Sequence, residues 1–438
     1  MSKRKYWLIA IILIAVFLRF WKIDKVPVSL FGDELDVGYQ AYSILKTGRD
    51  YNGNFMPLHF HSLAEWRTPL YLYSAVPTVA VFGISPLGVR LPAMIFGVLG
   101  IYVFYLLVRE ILVFKSGLDP SLAEKIALVA AFLLTVSPWH IQYSRAGFEV
   151  TQLLFFLILG IYFYIKSLNN PKLLWLSFFC FGLTPWIYST AKMFTPILLV
   201  FLVFLWFRDF IKFPKKELVK AVAVLLLLGL PMVYTVFSGG GAQRFGYISV
   251  FTDPTMEGDV GFARLNDAQF EGTGRNIFQK VETRFIHNKY TFWGFKVINN
   301  YLSTFSTNFL FIKGDLNLRH SVENVGQFYK VEMIPMILGL VAFFGFYKNR
   351  KIKILVAFWI LAGVIPSAIT RDGGIHATRL ILILPPMVIL IAYGIVKGFS
   401  LFGTKTFKLV TFGYILLFLI NFVFYEHNYW IHNPWYSE

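Results

Sequence analysis

Apolar runs of membrane-spanning length, separated by short basic loops, dominate the chain. A helix needs roughly 20 apolar residues to cross about 30 Å of hydrocarbon. Stretches near 6–22, 91–112, 126–140, 150–166, 173–189, 195–208, 219–237, 332–347, 354–369, 380–396 and 409–425 predict eleven spans. The connections after the second, fourth, sixth, eighth and tenth spans are the basic ones. They carry Arg109, Lys115 and Lys125; Lys166 and Lys172; Arg208, Lys212, Lys215, Lys216 and Lys220; Lys348, Arg350, Lys351 and Lys353; and Lys397, Lys405 and Lys408. Lys and Arg accumulate in cytoplasmic loops, so these connections and Lys3-Arg4-Lys5 are predicted to face the cytoplasm.

One further apolar stretch, Leu70–Phe82, would reverse every later sidedness if it crossed. It is short, follows Pro69 and contains Pro77, and a crossing would put each basic loop outside. It is therefore read as a helix lying in the interface or packed at the outer surface. Residues 23–90 become one elaborate first outer loop, and Ser238–Lys330 a long outer loop or small lobe. The predicted fold is an all-α polytopic membrane protein: an N-terminal transmembrane module over 1–237, the lobe over 238–330, and C-terminal transmembrane helices over 331–438.

Composition agrees with that class. Hydrophobic residues make up 57% and charged residues 15%, with a mean hydropathy of +0.61, outside the soluble globular range. The net charge of +17 would suit nucleic acid on a soluble protein. On a polytopic one it reflects basic loops facing anionic headgroups, and no nucleic-acid partner is expected. Cys180, the single cysteine, lies in an apolar run and offers neither a disulfide framework nor a thiolate metal site. No small-residue cleavage site follows Tyr6–Phe20, so the first helix reads as uncleaved rather than as a signal peptide. The run Ser238-Gly239-Gly240-Gly241-Ala242 lacks the Gly-Lys-Ser/Thr of a phosphate-cradling loop and reads as a lid or linker.

With this topology the outer connections collect ionisable groups. The first holds Asp33, Glu34, Asp36, His59, His61, Glu65, Arg67 and Arg90; the next holds Arg145 and Glu149; the third holds Tyr188 and Lys192. The lobe carries Gly314-Asp315-Leu316-Asn317-Leu318-Arg319-His320, and the fourth short connection carries Arg371, Asp372, His376 and Arg379. Each has a plainer reading. Asp33 suits an N-cap, Glu34 either supports it or faces solvent, Glu149 suits a helix start, and Arg90 and Arg145 could snorkel to headgroups. Basic residues on the outer side nevertheless run against the loop bias. Arg, Lys and His bind phosphate, and a carboxylate takes a proton from an attacking hydroxyl. Sugar transfer from a polyprenyl phosphate needs both, with cations or a metal stabilising the departing phosphate.

Four elements carry a family resemblance: Gly32-Asp33-Glu34 after the first span, Val89-Arg90-Leu91-Pro92-Ala93 at the second, Tyr143-Ser144-Arg145 with Glu149, and the Gly-Asp-x-Asn-x-Arg-His stretch at 314–320. In this order and topology the chain resembles bacterial GT-C glycosyltransferases of the branch containing protein O-mannosyltransferases and lipid A aminoarabinose transferases. The resemblance is tightest over residues 1–160. It implies a GT-C fold with Asp33 as catalytic carboxylate, supported by Glu34. It further implies inverting transfer from a polyprenyl-phosphate monosaccharide to a lipid, glycan or protein hydroxyl, outside the cytoplasmic membrane. Arg90, Arg145, Glu149, Lys192, Arg319, His320, His376 and Arg379 are the expected donor and substrate contacts. A divalent metal, if used, would sit on Asp33 and Glu149, although the lone Glu149 replaces the Asp-x-Asp of the oligosaccharyltransferase branch. The rival expectation is a transporter or flippase of lipid-linked sugars, which would use the same cations without chemistry.

Overall fold

The computed structural model describes residues 3–62, 65–238, 242–270, 277–402 and 404–436, so the predicted Gly239–Gly241 linker lies outside the described residues. Among those described, six helices are long and apolar enough to cross a membrane, and a bent pair makes a seventh. The six are α4 (Pro86–Val113), α7 (Val150–Ser167), α10 (Lys215–Ser238), α16 (Arg350–Ala368), α17 (Ala377–Gly398) and α18 (Thr404–His427). The pair is α5 (Pro120–Val136) and α6 (Pro138–Arg145), bent by 56°. The remaining predicted spans are the 18-residue α1 (Lys3–Phe20) and the shorter α8 (Leu174–Leu183), α9 (Ala191–Leu205) and α15 (Met333–Phe346).

Caps and prolines set the starts. Asp119 accepts the Leu122 N–H at 3.1 Å with Pro120 as first helical residue, and Ser85 accepts the Gly88 N–H at 3.1 Å ahead of Pro86. A proline there gives up an N–H that had no helical partner. Ser137 and Pro138 repeat the device inside the bent pair.

The first loop folds as α2 (Gly32–Thr47), a short hairpin β1 (Phe60–Ser62) and β2 (Glu65–Arg67), and α3 (Leu70–Phe82). The hairpin was not anticipated from the sequence. At 13 residues, α3 is about 20 Å long at 1.5 Å per residue, too short to cross alone. It packs on α2 and α4 through Tyr71, Leu72, Ala75 and Val79, and the Tyr71 hydroxyl donates to the Val89 carbonyl at 3.0 Å.

The lobe is helical too, with α11 (Gln243–Ile248), α12 (Met256–Phe270), α13 (Ile277–Ile286) and α14 (Lys289–Ser303). It is stitched to the connection after α16. Val250 donates to the Ile369 carbonyl at 3.0 Å and Arg371 to that of Ile248 at 2.9 Å, while the Asn300 amide donates to the carbonyls of Ala368 and Thr370. This carries α11 beside the ends of α9, α10 and α16.

Candidate functional site

The N-terminus of α2 separates the two adjacent carboxylates. The helix begins at Gly32 with Phe31 as its cap, so Asp33 is not the N-cap. Glu34, in the third helical position, turns back to accept the Phe31 N–H at 3.4 Å. Its carboxylate is fully buried, takes the Gly147 N–H at 2.6 Å, and meets Arg90 at 2.7 and 2.9 Å in a two-pronged pair. The approach at Gly147 is close, since a Cβ would stand 3.1 Å from Glu34 Cγ. Asp33 instead keeps 38% of its side chain exposed. Glu34 is therefore buried and fixes the start of α2 beside the more exposed Asp33.

Arg90 and Arg145, expected as donor contacts, have their side-chain donors engaged by the protein itself. The remaining donors of Arg90 go to the carbonyls of Ile23, Pro27 and Ser29 at 3.1, 2.9 and 2.8 Å. Arg145 donates to Leu18 and Arg19 at 2.7 and 3.1 Å, to Trp21 and Val26 at 2.9 and 2.8 Å, and to the Tyr429 hydroxyl at 3.0 Å. Its guanidinium also stacks over Trp430. A guanidinium has five N–H donors, and both are fully buried with those donors engaged. They satisfy carbonyls at the end of α1 and in the turn beyond it, groups that a helix end leaves unpaired.

A third arginine, not assigned from the sequence, organises the acids. Arg67, at the end of β2, places Nη2 3.4 Å from Asp33 Oδ1 and 3.6 Å from Glu149 Oε1, and Nη1 3.2 Å from Asp36 Oδ2. Nη1 also donates to the Asp33 carbonyl at 3.0 Å. Asp33 and Asp36 share a face of α2 by their three-residue spacing. Glu149 stands just ahead of α7. Burial raises the pKa of Glu149, while Arg67 and then Arg244 oppose that shift.

The later motif forms a compact turn. Asp315 accepts the N–H groups of Ala377 at 2.8 Å and Asn317 at 2.9 Å, tying the lobe to the start of α17. Gly314, at φ +73°, sits where a Cβ would meet Ser321 and the Val325 carbonyl at 2.6 Å. The turn delivers His320 against Tyr143 and Phe148, with Nδ1 3.0 Å from Thr378 Oγ1 and its ring 5.0 Å from that of His376. Burial lowers the pKa of His320 to about 4 and of His376 to about 2. Both are neutral at pH 7; His320 Nδ1 hydrogen-bonds Thr378, while the buried His376 Nδ1 has no hydrogen-bond partner among the described residues. His320 lies within electrostatic reach of Asp33. Arg319 is exposed, its guanidinium over the Phe31 ring.

The cations that gather are Lys192, Arg244 and Arg379. All three line a cavity of about 560 Å³ between the ends of α8, α9, α10 and α16. Its walls are otherwise mainly apolar, with Phe181, Met193, Leu199, Leu225 and Val233 among them. Lys192 Nζ stands 3.1 Å from His59 Nε2, Arg244 lies over the Tyr188 ring, and Arg379 donates to Thr370 at 2.7 Å. Arg244 links this group to the acids, since it acts on both Glu149 and His376. His61 turns away onto Trp66, so His59 and His61 do not pair. Arg244 went unassigned because its partners lie on α9 and in the connection before it.

Residues 67–234 match a family model described as dolichyl-phosphate-mannose-protein mannosyltransferase. No curated protein sequence matches the chain. Among solved structures, ArnT from Cupriavidus metallidurans bound to undecaprenyl phosphate aligns with a TM-score of 0.53 at 14% identity, over 90% of this chain and 60% of that one. The oligosaccharyltransferase AglB from Archaeoglobus fulgidus, in complex with an inhibitory peptide and a dolichol-phosphate, aligns with a TM-score of 0.55 at 15% identity, over 99% of this chain and 56% of that one. The chain has the GT-C fold. It shares the fold of these two structures while spanning 60% or less of their length.

Another structure with the GT-C fold, the A. fulgidus oligosaccharyltransferase in complex with Zn and sulfate, aligns with a TM-score of 0.54 at 16% identity, over 98% of this chain and 53% of that one. In this GT-C chain, Asp33 and Glu149 do not fit a shared metal ion. Arg67 Nη2 stands between them, and no group of three His, Cys, Asp or Glu among the described residues is spaced to hold one.

Proposed function

We propose that the protein transfers a hexosyl or pentosyl group from a polyprenyl-phosphate donor to an acceptor hydroxyl, with inversion, at the extracytoplasmic face of the cytoplasmic membrane. The observation that carries this reading is the cavity: apolar walls suited to a polyprenyl chain end at Lys192, Arg244 and Arg379. A sugar phosphodiester bears one negative charge and the released monoester close to two. Cations fixed at that end favour the departing group over the bound donor, which is how an electrostatic site lowers a barrier.

Asp33 supplies the other half. It accepts the acceptor hydroxyl proton as that oxygen bonds to the anomeric carbon and the carbon–oxygen bond to phosphate breaks. Attack opposite the leaving phosphate inverts the centre. Arg67 and the buried Glu34 turn hold the carboxylate in place. The acceptor is a lipid, glycan or protein hydroxyl.

Replacing either cation tests the donor site. Lys192→Gln and Arg244→Gln are each expected to lower kcat/KM for the donor about 10- to 100-fold, the loss of one charge-assisted hydrogen bond worth about 1.5–3 kcal/mol. Steady-state kinetics in detergent with a synthetic polyprenyl-phosphate sugar measures this. Unchanged kinetics in both variants would move the phosphate elsewhere.

A further inference from the structure

We propose that Arg67 is the resident cation of the reaction centre and that transfer proceeds without a divalent metal ion. This deepens the glycosyltransferase reading and rests on it. Three carboxylates from two elements converge on one guanidinium: Asp33 and Asp36 from α2, and Glu149 from the turn before α7. The side chain of Arg67 is 4% exposed. The hairpin holds its backbone through the Phe60–Arg67 pairing, and the neighbouring Thr68 hydroxyl donates to the Ile187 carbonyl at 2.6 Å. The Tyr51 hydroxyl donates to the other oxygen of Asp36 at 2.8 Å. Arg67 is thus fixed from both sides.

A metal bridging Asp33 and Glu149 would have to share their gap with Nη2. Oxygen ligands bind Mg²⁺ at about 2.1 Å and Ca²⁺ at about 2.3–2.6 Å, so both carboxylates would have to abandon the guanidinium to close on the ion. Arg67 already performs one task of such an ion: it holds the first-loop acid and the second-loop acid in a fixed relation. It is a positioning residue, and it holds the Asp33 carboxylate in place from 3.4 Å. Without it, three acids remain clustered and partly buried, a charge that favours capture of a divalent cation.

The test uses full-length purified protein in detergent. Wild type is expected to keep its transfer rate in EDTA, to gain nothing from Mn²⁺ or Mg²⁺, and to show no tightly bound Mn²⁺ by electron paramagnetic resonance. Arg67→Gln is expected to bind one Mn²⁺, and that signal should disappear in Arg67→Gln/Glu149→Gln. Arg67→Lys, which keeps the cation, should stay metal-insensitive. Loss of wild-type transfer in EDTA with recovery on adding Mn²⁺ would overturn the proposal. So would Mn²⁺ binding by wild type that is lost on Glu149→Gln. The resonance measurement needs no turnover, so it stands or falls separately from the glycosyltransferase reading. If Arg67→Gln fails to fold, the wild-type and Arg67→Lys measurements still decide.

Discussion

Asp33→Asn is expected to insert and fold as the wild type does and to lose about 10²- to 10⁴-fold in kcat, the usual contribution of general-base assistance. That is about 3–5 kcal/mol of transition-state stabilisation at 1.36 kcal/mol per factor of ten. The asparagine keeps the shape and can still accept from Arg67, but it cannot take a proton. Donor KM should change little, because the phosphate cations lie on other elements: α9, α11 and α17. Size-exclusion behaviour and kinetics on the same preparation check both halves. Wild-type turnover in this variant would remove Asp33 from the chemistry.

Arg90→Ala should act on stability instead. Breaking a buried ion pair by deleting one partner typically costs about 3–5 kcal/mol, because the other charge is left uncompensated. Here Glu34 would lose its guanidinium, and the carbonyls of Ile23, Pro27 and Ser29 would lose their donors. The expected result is a protein that accumulates poorly or melts well below wild type in detergent. Adding Glu34→Leu should recover part of the loss, since removing both charges avoids the unpaired carboxylate. Normal melting of Arg90→Ala with a large rise in donor KM would restore the phosphate role that the geometry denies it.

How far the sequence could be read differs between spans and site. Hydropathy located the apolar helices because a spanning helix must satisfy its backbone internally and present apolar side chains throughout. The short α3 was legible for the same reason: Leu70–Phe82 cannot reach across, and its prolines cut it further. The backbone contacts of Arg90 and Arg145 were not legible because an arginine beside a membrane surface looks the same in sequence whether it binds phosphate or backbone. The deciding partners are carbonyls near residues 18–29, and a carbonyl leaves no residue-type signal. Glu34 was ambiguous because its role depends on helix register. Starting α2 at Gly32, with Phe31 rather than Asp33 as the cap, sends Glu34 inward and leaves Asp33 outside. Arg67 and Arg244 acquire meaning only from residues far along the chain, Glu149 and Lys192 among them, so no local pattern marks them. The charge state of His320 and His376 is set by burial, which composition does not reveal.

The most direct measurement follows the carrier lipid. Purified protein is mixed with a polyprenyl-phosphate sugar labelled in both lipid and sugar, together with acceptor, and the lipid product is identified. Release of free polyprenyl phosphate matched by sugar on the acceptor, in wild type and not in Asp33→Asn, is the predicted result. Intact donor crossing a reconstituted bilayer, with its sugar still attached and no free polyprenyl phosphate formed, would contradict the account and favour a transporter.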